Sequence, residues 1–206
     1  MPRLAGNDPV ARKINAALQD LDDRAVSART DCLDDPNNSF AGGSDVTLNG
    51  PYFLSIVYWK SYYCGTAHPW SDQYVLLFDL KSGAAIDPVS LLPRSLRPLP
   101  EDDNLATWSE SKAVAGVKPL TDLYLSRLAL DPKNDAAAMN DIDCIEVLTH
   151  HVHDFLIWPD AKAHALMLMP YGMAYIFTPC QNEVSLPVAL LLKLHASPRL
   201  IVALAK

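Results

Sequence analysis

Four cysteines, Cys32, Cys64, Cys144 and Cys180, constrain what this chain can fold into more than any other feature. They are even in number and widely spaced, with no Cys-x-x-Cys among them, so neither a zinc ribbon nor a thioredoxin-type redox pair is indicated. Sequence alone leaves three pairings open. We favour Cys32 with Cys64 and Cys144 with Cys180, because each pair brackets a segment that has to fold back on itself. Closing loops of that size contributes about 3–4 kcal/mol each in the chain-entropy model. Such bonds persist in oxidising compartments, so a periplasmic or extracellular address is expected, with a leader already removed. The alternative is four reduced, buried thiols in a cytosolic protein, since free cysteine is among the most buried residue types.

The chain has 206 residues, half of them hydrophobic, which is enough for one substantial core. A single domain is expected, with an N-terminal helix and loop over 1–48 and a sheet with C-terminal helices over 49–206. Acidic side chains outnumber basic ones, 24 to 17, giving a net charge of −7 without any long run of like charge. That balance argues against a nucleic-acid binder, which needs a basic stripe for phosphates, and favours a neutral or basic partner. No stretch approaches the roughly 18 apolar residues of a membrane span, so no transmembrane segment is expected.

Asp8 and Pro9 form a helix start, an amide acceptor followed by a proline at the first helical position. Val10, Ile14, Leu18, Leu21 and Val26 then recur at helical spacing. Residues 34–44, with Pro36, Asn37, Gly42 and Gly43, read as loop. Three strands follow, Asp45–Leu48, Tyr52–Tyr63 and Gln73–Leu80, whose short connections demand antiparallel pairing. Beyond a helical turn over Pro88–Pro93 and an exposed loop over Arg94–Asn104, helices are predicted over Val117–Leu130 and Asp143–His151. A hairpin (Phe155–Trp158 and His164–Met169, turning at Pro159-Asp160), a strand at Val184–Leu186 and helices starting at Pro187 and Pro198 complete the count. The class is α+β, an antiparallel meander with helices packed against it.

Residues that could carry chemistry gather in two places. The first is the loop Gly65, Thr66, Ala67, His68, Pro69 and Trp70, which joins two strands and concentrates binding-prone side chains at one sheet end. The competing role is a turn in which His68 caps backbone groups and Trp70 plugs the sheet edge. The second is His150, His151 and His153; in an extended segment the last two share a side, and His164 on the next strand could join them at a metal. Satisfied or solvated histidines are the commoner outcome. No metal and no cofactor is therefore assigned. Ser55 lies mid-strand and no nucleophile motif surrounds it, while the pairs Asp102/Asp103 and Asp141/Asp143 are ordinary loop carboxylates, so no catalytic residue is named.

Several segments in order carry a resemblance: Leu4-Ala5-Gly6, Ile14-Asn15-Ala16-Ala17-Leu18, Tyr52-Phe53-Leu54-Ser55-Ile56, Gly65-Thr66-Ala67-His68-Pro69, Phe78-Asp79-Leu80-Lys81-Ser82-Gly83, Leu91-Leu92-Pro93 and Val184-Ser185-Leu186-Pro187. Together they resemble an extracytoplasmic domain family that includes the lysozyme-binding domain of the anti-sigma factor RsiV and the non-catalytic N-terminal domain of the peptidoglycan deacetylase PdaC. That family has a Gly-Gly-Ala-His loop where Thr66 intervenes here, and its approach to the last strand is replaced by Thr178-Pro179-Cys180-Gln181-Asn182. The resemblance implies a secreted or periplasmic binding domain and no catalyst; the larger relative's His-x-x-x-His motif is missing from this sequence. The expected function is thus binding of peptidoglycan, or of a basic, lysozyme-like peptidoglycan hydrolase as an inhibitor or immunity protein. The rival is a metal-dependent cell-envelope hydrolase built on His150, His151 and His153, which stoichiometric zinc in purified protein would favour.

Overall fold

The computed structural model describes residues 1–97, 117–130, 144–150 and 154–205. Within them the chain forms two antiparallel three-stranded sheets and five α-helices, an α+β architecture. The strands thus make two sheets where one meander was expected. The chain falls into two compact units, Met1–Ile86 and Asp87–Lys206.

The first unit is one helix on one sheet. Helix α1 (Pro9–Cys32) starts where the sequence places it: Asp8 accepts from the amides of Val10 and Ala11 at 2.9 and 3.0 Å, and Pro9 follows. The amide of Ala11 above all holds the Asp8 carboxyl below the ordinary aspartate range. Strands β1 (Ser39–Asn49), β2 (Phe53–Tyr63) and β3 (Trp70–Asp79) lie in that order, each pair antiparallel. Ile14 and Leu18 of α1 pack on Leu54 and Ile56 of β2 and on Leu76 and Phe78 of β3. This fixes the even-numbered side chains of β2 and β3 on the helix side of the sheet and the odd-numbered ones on the opposite side.

Two expectations fail in this unit for identifiable reasons. β1 begins at Ser39, inside the segment read as loop, because Gly43 is paired with Trp59 and the missing side chain is replaced by an indole ring. A Cβ built on Gly43 would lie 2.9 Å from Trp59 Cζ2 and 3.0 Å from Nε1. A cross-strand aromatic packed over a glycine restores the contact that glycine lacks. Strand β3 likewise begins at Trp70, ahead of Gln73, and Trp70 pairs with Tyr62. One bulge lies between Val46 and Leu48, where the Thr47 hydroxyl donates to Ser55 Oγ at 2.8 Å.

In the second unit the sheet runs β4 (Asp154–Asp160), β5 (Ala165–Tyr171), β6 (Val184–Pro187). Strand β4 extends through Pro159-Asp160, and the turn falls at 161–164. Proline is tolerated there because β4 is an edge strand, where a missing N–H costs least. Phe155, Leu156, Ile157 and Trp158 are all buried, so both faces of β4 are covered. Helices α2 (Lys118–Leu128), α3 (Cys144–His150), α4 (Val188–Lys193) and α5 (Pro198–Leu204) follow the predicted order. Tyr124 of α2 packs on Phe155 with ring centroids 5.3 Å apart and donates its hydroxyl to the Asn182 carbonyl at 2.9 Å. Burial pushes that phenol far above its ordinary pKa, so it stays a donor at any physiological pH.

Candidate functional site

Two disulfides are present, Cys32–Cys64 and Cys144–Cys180, joining the cysteines that bracket each fold-back. The first decides the geometry of one end of the helix–sheet unit. It bonds the last residue of α1 to the residue after β2, with the Cα atoms 5.0 Å apart. The α1–β1 connection and the β2–β3 loop are thereby clamped side by side, over the first pair of the β1–β2 ladder, Ser39 and Tyr63.

Gly65, Thr66, Ala67, His68 and Pro69 are all exposed in that β2–β3 loop. Gly65 takes a positive φ of 73°, and Thr66 Oγ1 donates to the His68 carbonyl at 2.7 Å. Trp70 opens β3 and is 46% exposed. Strand register joins it to side chains the sequence analysis did not single out. Phe40, Tyr62 and Trp70 are consecutive cross-strand partners, forming an aromatic row across all three strands on the helix side, with Phe40 and Tyr62 stacked at 6.1 Å. No local motif announces this row; only the register Phe40–Tyr62–Trp70 assembles it.

Next to the row lies a compact polar group. Lys60 Nζ is 3.5 Å from Asp72 Oδ2 and 5.2 Å from the centroids of both Tyr62 and Tyr74. The hydroxyls of Tyr62 and Tyr74 donate to the same Asp72 oxygen at 3.2 and 3.1 Å. Tyr58 stacks on Tyr74 at 5.8 Å. A cation between two rings, with a carboxylate accepting from both phenols, is charge-balanced and rigid, which suits a platform that binds without reorganising. Exposed carboxylates rim the same end: Asp31 precedes the clamped Cys32, and Asp34 and Asp35 follow it.

The remaining candidates do not converge. Ser55 is fully buried, held by Thr47, and lies at the opposite end of β2 from the loop that carries His68. His151, His153, Asp102, Asp103, Asp141 and Asp143 lie outside the described residues, as does the His150 side chain. His164 sits in the β4–β5 turn with φ 49°, and its Nδ1 donates to the Leu204 carbonyl at 2.9 Å, tying the hairpin to α5. Its turn is at the far end of the hairpin from Asp154, where β4 begins, roughly 20 Å of strand away. Among the described residues no cluster of three His, Cys, Asp or Glu could hold a metal, and no helix is long and apolar enough to cross a membrane.

The fold is that of a disulfide-stapled α+β protein with an exposed aromatic side chain at the clamped end of its first sheet. Among solved structures the chain is similar to a DUF3298 family protein from Pseudomonas aeruginosa PAO1 (14% identity, TM-score 0.44, covering 79% of this chain and 64% of that one). It is also similar to a member of the DUF3298 family from Bacteroides fragilis (14% identity, TM-score 0.46, covering 98% and 75%). This chain therefore spans 64% of the length of the first of these structures. No family model and no curated protein matches the sequence.

Proposed function

We propose that the protein is a non-catalytic extracytoplasmic binding protein whose grip is the clamped end of its first sheet. On this reading it takes a basic peptidoglycan hydrolase of the lysozyme type, acting as its inhibitor or as an immunity protein. The observation that carries the reading is the row Phe40–Tyr62–Trp70, partly exposed and fixed by strand pairing, beside an exposed loop that Cys32–Cys64 holds to an acidic segment. Rigid aromatic anchors with a charged rim are what a protein-binding hot spot needs. The net charge of −7 complements a basic partner. The resemblance of Gly65-Thr66-Ala67-His68-Pro69 to the loop of a lysozyme-binding domain points to the same partner.

The test is direct. Purified protein is titrated against a basic lysozyme by interferometry and assayed for protection of cell walls from lysis, with peptidoglycan sedimentation in parallel. His68→Ala combined with Trp70→Ala is expected to weaken binding at least about tenfold, the scale of one truncated anchor, and to leave the melting temperature nearly unchanged. A large loss of stability with intact binding would assign the loop to the fold, and binding to neither lysozyme nor peptidoglycan would end the reading.

A further inference from the structure

The opposite side of the same three strands carries a second aromatic–carboxylate pair, and comparison with the helix side shows what it lacks. On the helix side, the tyrosines and Asp72 already hold a cation of the chain's own, Lys60. On the other side, register brings together Ala41, Gly43 and Asp45 of β1, Val57, Trp59 and Ser61 of β2, and Ser71, Gln73 and Val75 of β3. That list holds a carboxylate and an indole but no cation.

Trp59 is shaped for a ligand. Three of its ring atoms lie within 3.0 Å of where a Gly43 Cβ would be, so the indole packs against the β1 backbone at Gly43 while the residue stays 40% exposed. A side chain at Gly43 would lift it. Asp45 pairs with Val57, two residues from Trp59 along β2, a diagonal separation of about 7–8 Å that long side chains bridge. The Asp45 carboxylate is exposed, and among the described residues neither it nor the Trp59 indole has a side-chain hydrogen bond, ion pair or stacked-ring partner. A cation laid on the indole would face the ring's negative face and have a carboxylate beside it.

We infer that Trp59 and Asp45 form a receptor for one arginine or lysine side chain of a basic protein partner. The inference deepens the proposed function and rests on it, since it specifies how a basic partner is read. A guanidinium fits best, because it stacks on the indole and reaches the carboxylate with its edge.

The test is a titration of the labelled full chain, followed at the Trp59 indole N–H resonance, which Trp59→Leu identifies by its disappearance. A hexa-arginine peptide is expected to shift that signal saturably, hexa-lysine less strongly, and Asp45→Asn to weaken the effect about fivefold. An unmoved Trp59 resonance overturns the inference. So does a shift by an N-acetylglucosamine tetramer in place of the peptides, which would assign this face to a sugar. If lysozyme binds and Trp59→Leu leaves its affinity unchanged while the His68/Trp70 variant loses it, the receptor fails and the proposed function stands. If hexa-arginine moves Trp59 but lysozyme does not bind, the partner fails and the receptor stands.

Discussion

The hydroxyl of Ser55 is the deepest polar group of the first sheet, fully buried among apolar neighbours, and its only partner among the described residues is Thr47. Thr47 can reach it because the bulge between Val46 and Leu48 gives β1 one extra residue there. The bulge therefore brings a donor to the buried Ser55 oxygen, and a strand without it would leave that hydroxyl stranded. Thr47→Val keeps the shape and removes the partner. We expect it to lower unfolding free energy by about 1–3 kcal/mol, measured as a shift in urea midpoint with unchanged slope. Thr47→Val combined with Ser55→Ala removes both ends and should recover most of that loss.

At the scale of elements, what the sequence revealed depended on whether the signal was local. Helix α1 was readable because Asp8, Pro9 and the Ile14/Leu18 spacing all lie within a few turns of one another. The start of β1 was not, because Gly42 and Gly43 read as breakers until Trp59, sixteen positions on, is seen to fill the space over Gly43. The division into two sheets and the site's aromatic row were hidden for the same reason: Phe40, Tyr62 and Trp70 are neighbours only through pairing. The loop Gly65–Trp70 stood out by composition, and its position beside the α1–β1 connection is the work of the Cys32–Cys64 bond. Replacing Cys32 and Cys64 by Ser should therefore cost about 3–4 kcal/mol of stability and also loosen the proposed binding end. Replacing Cys144 and Cys180, which close a loop of similar length in the second unit, should cost about as much and leave lysozyme affinity intact where the protein remains folded. Chemical denaturation and binding measured on both double variants separate the two roles.

For the whole molecule, the charge of −7 makes a kinetic claim distinct from the contacts. Long-range attraction accelerates encounter with a basic partner and is screened once the Debye length falls below the separation, about 8 Å at physiological ionic strength and about 3 Å at 1 M. In the proposed complex, aromatic contacts buried after encounter would feel salt little, so added salt should slow association by about tenfold or more, on the order expected for steered complexes, with dissociation nearly unchanged. The effect should also be local. Asp31, Asp34 and Asp35 sit on the clamped segment beside the loop, whereas Asp8, Asp20 and Asp23 are exposed at the start of α1 and along it, away from the clamped Cys32. Converting the first three to Asn removes the same formal charge as converting the second three. If the acidic rim steers the partner, the first variant associates more slowly and shows a flatter salt dependence than the second. Equal effects would mean that net charge alone sets the rate, and that the binding end has no electrostatic direction of its own.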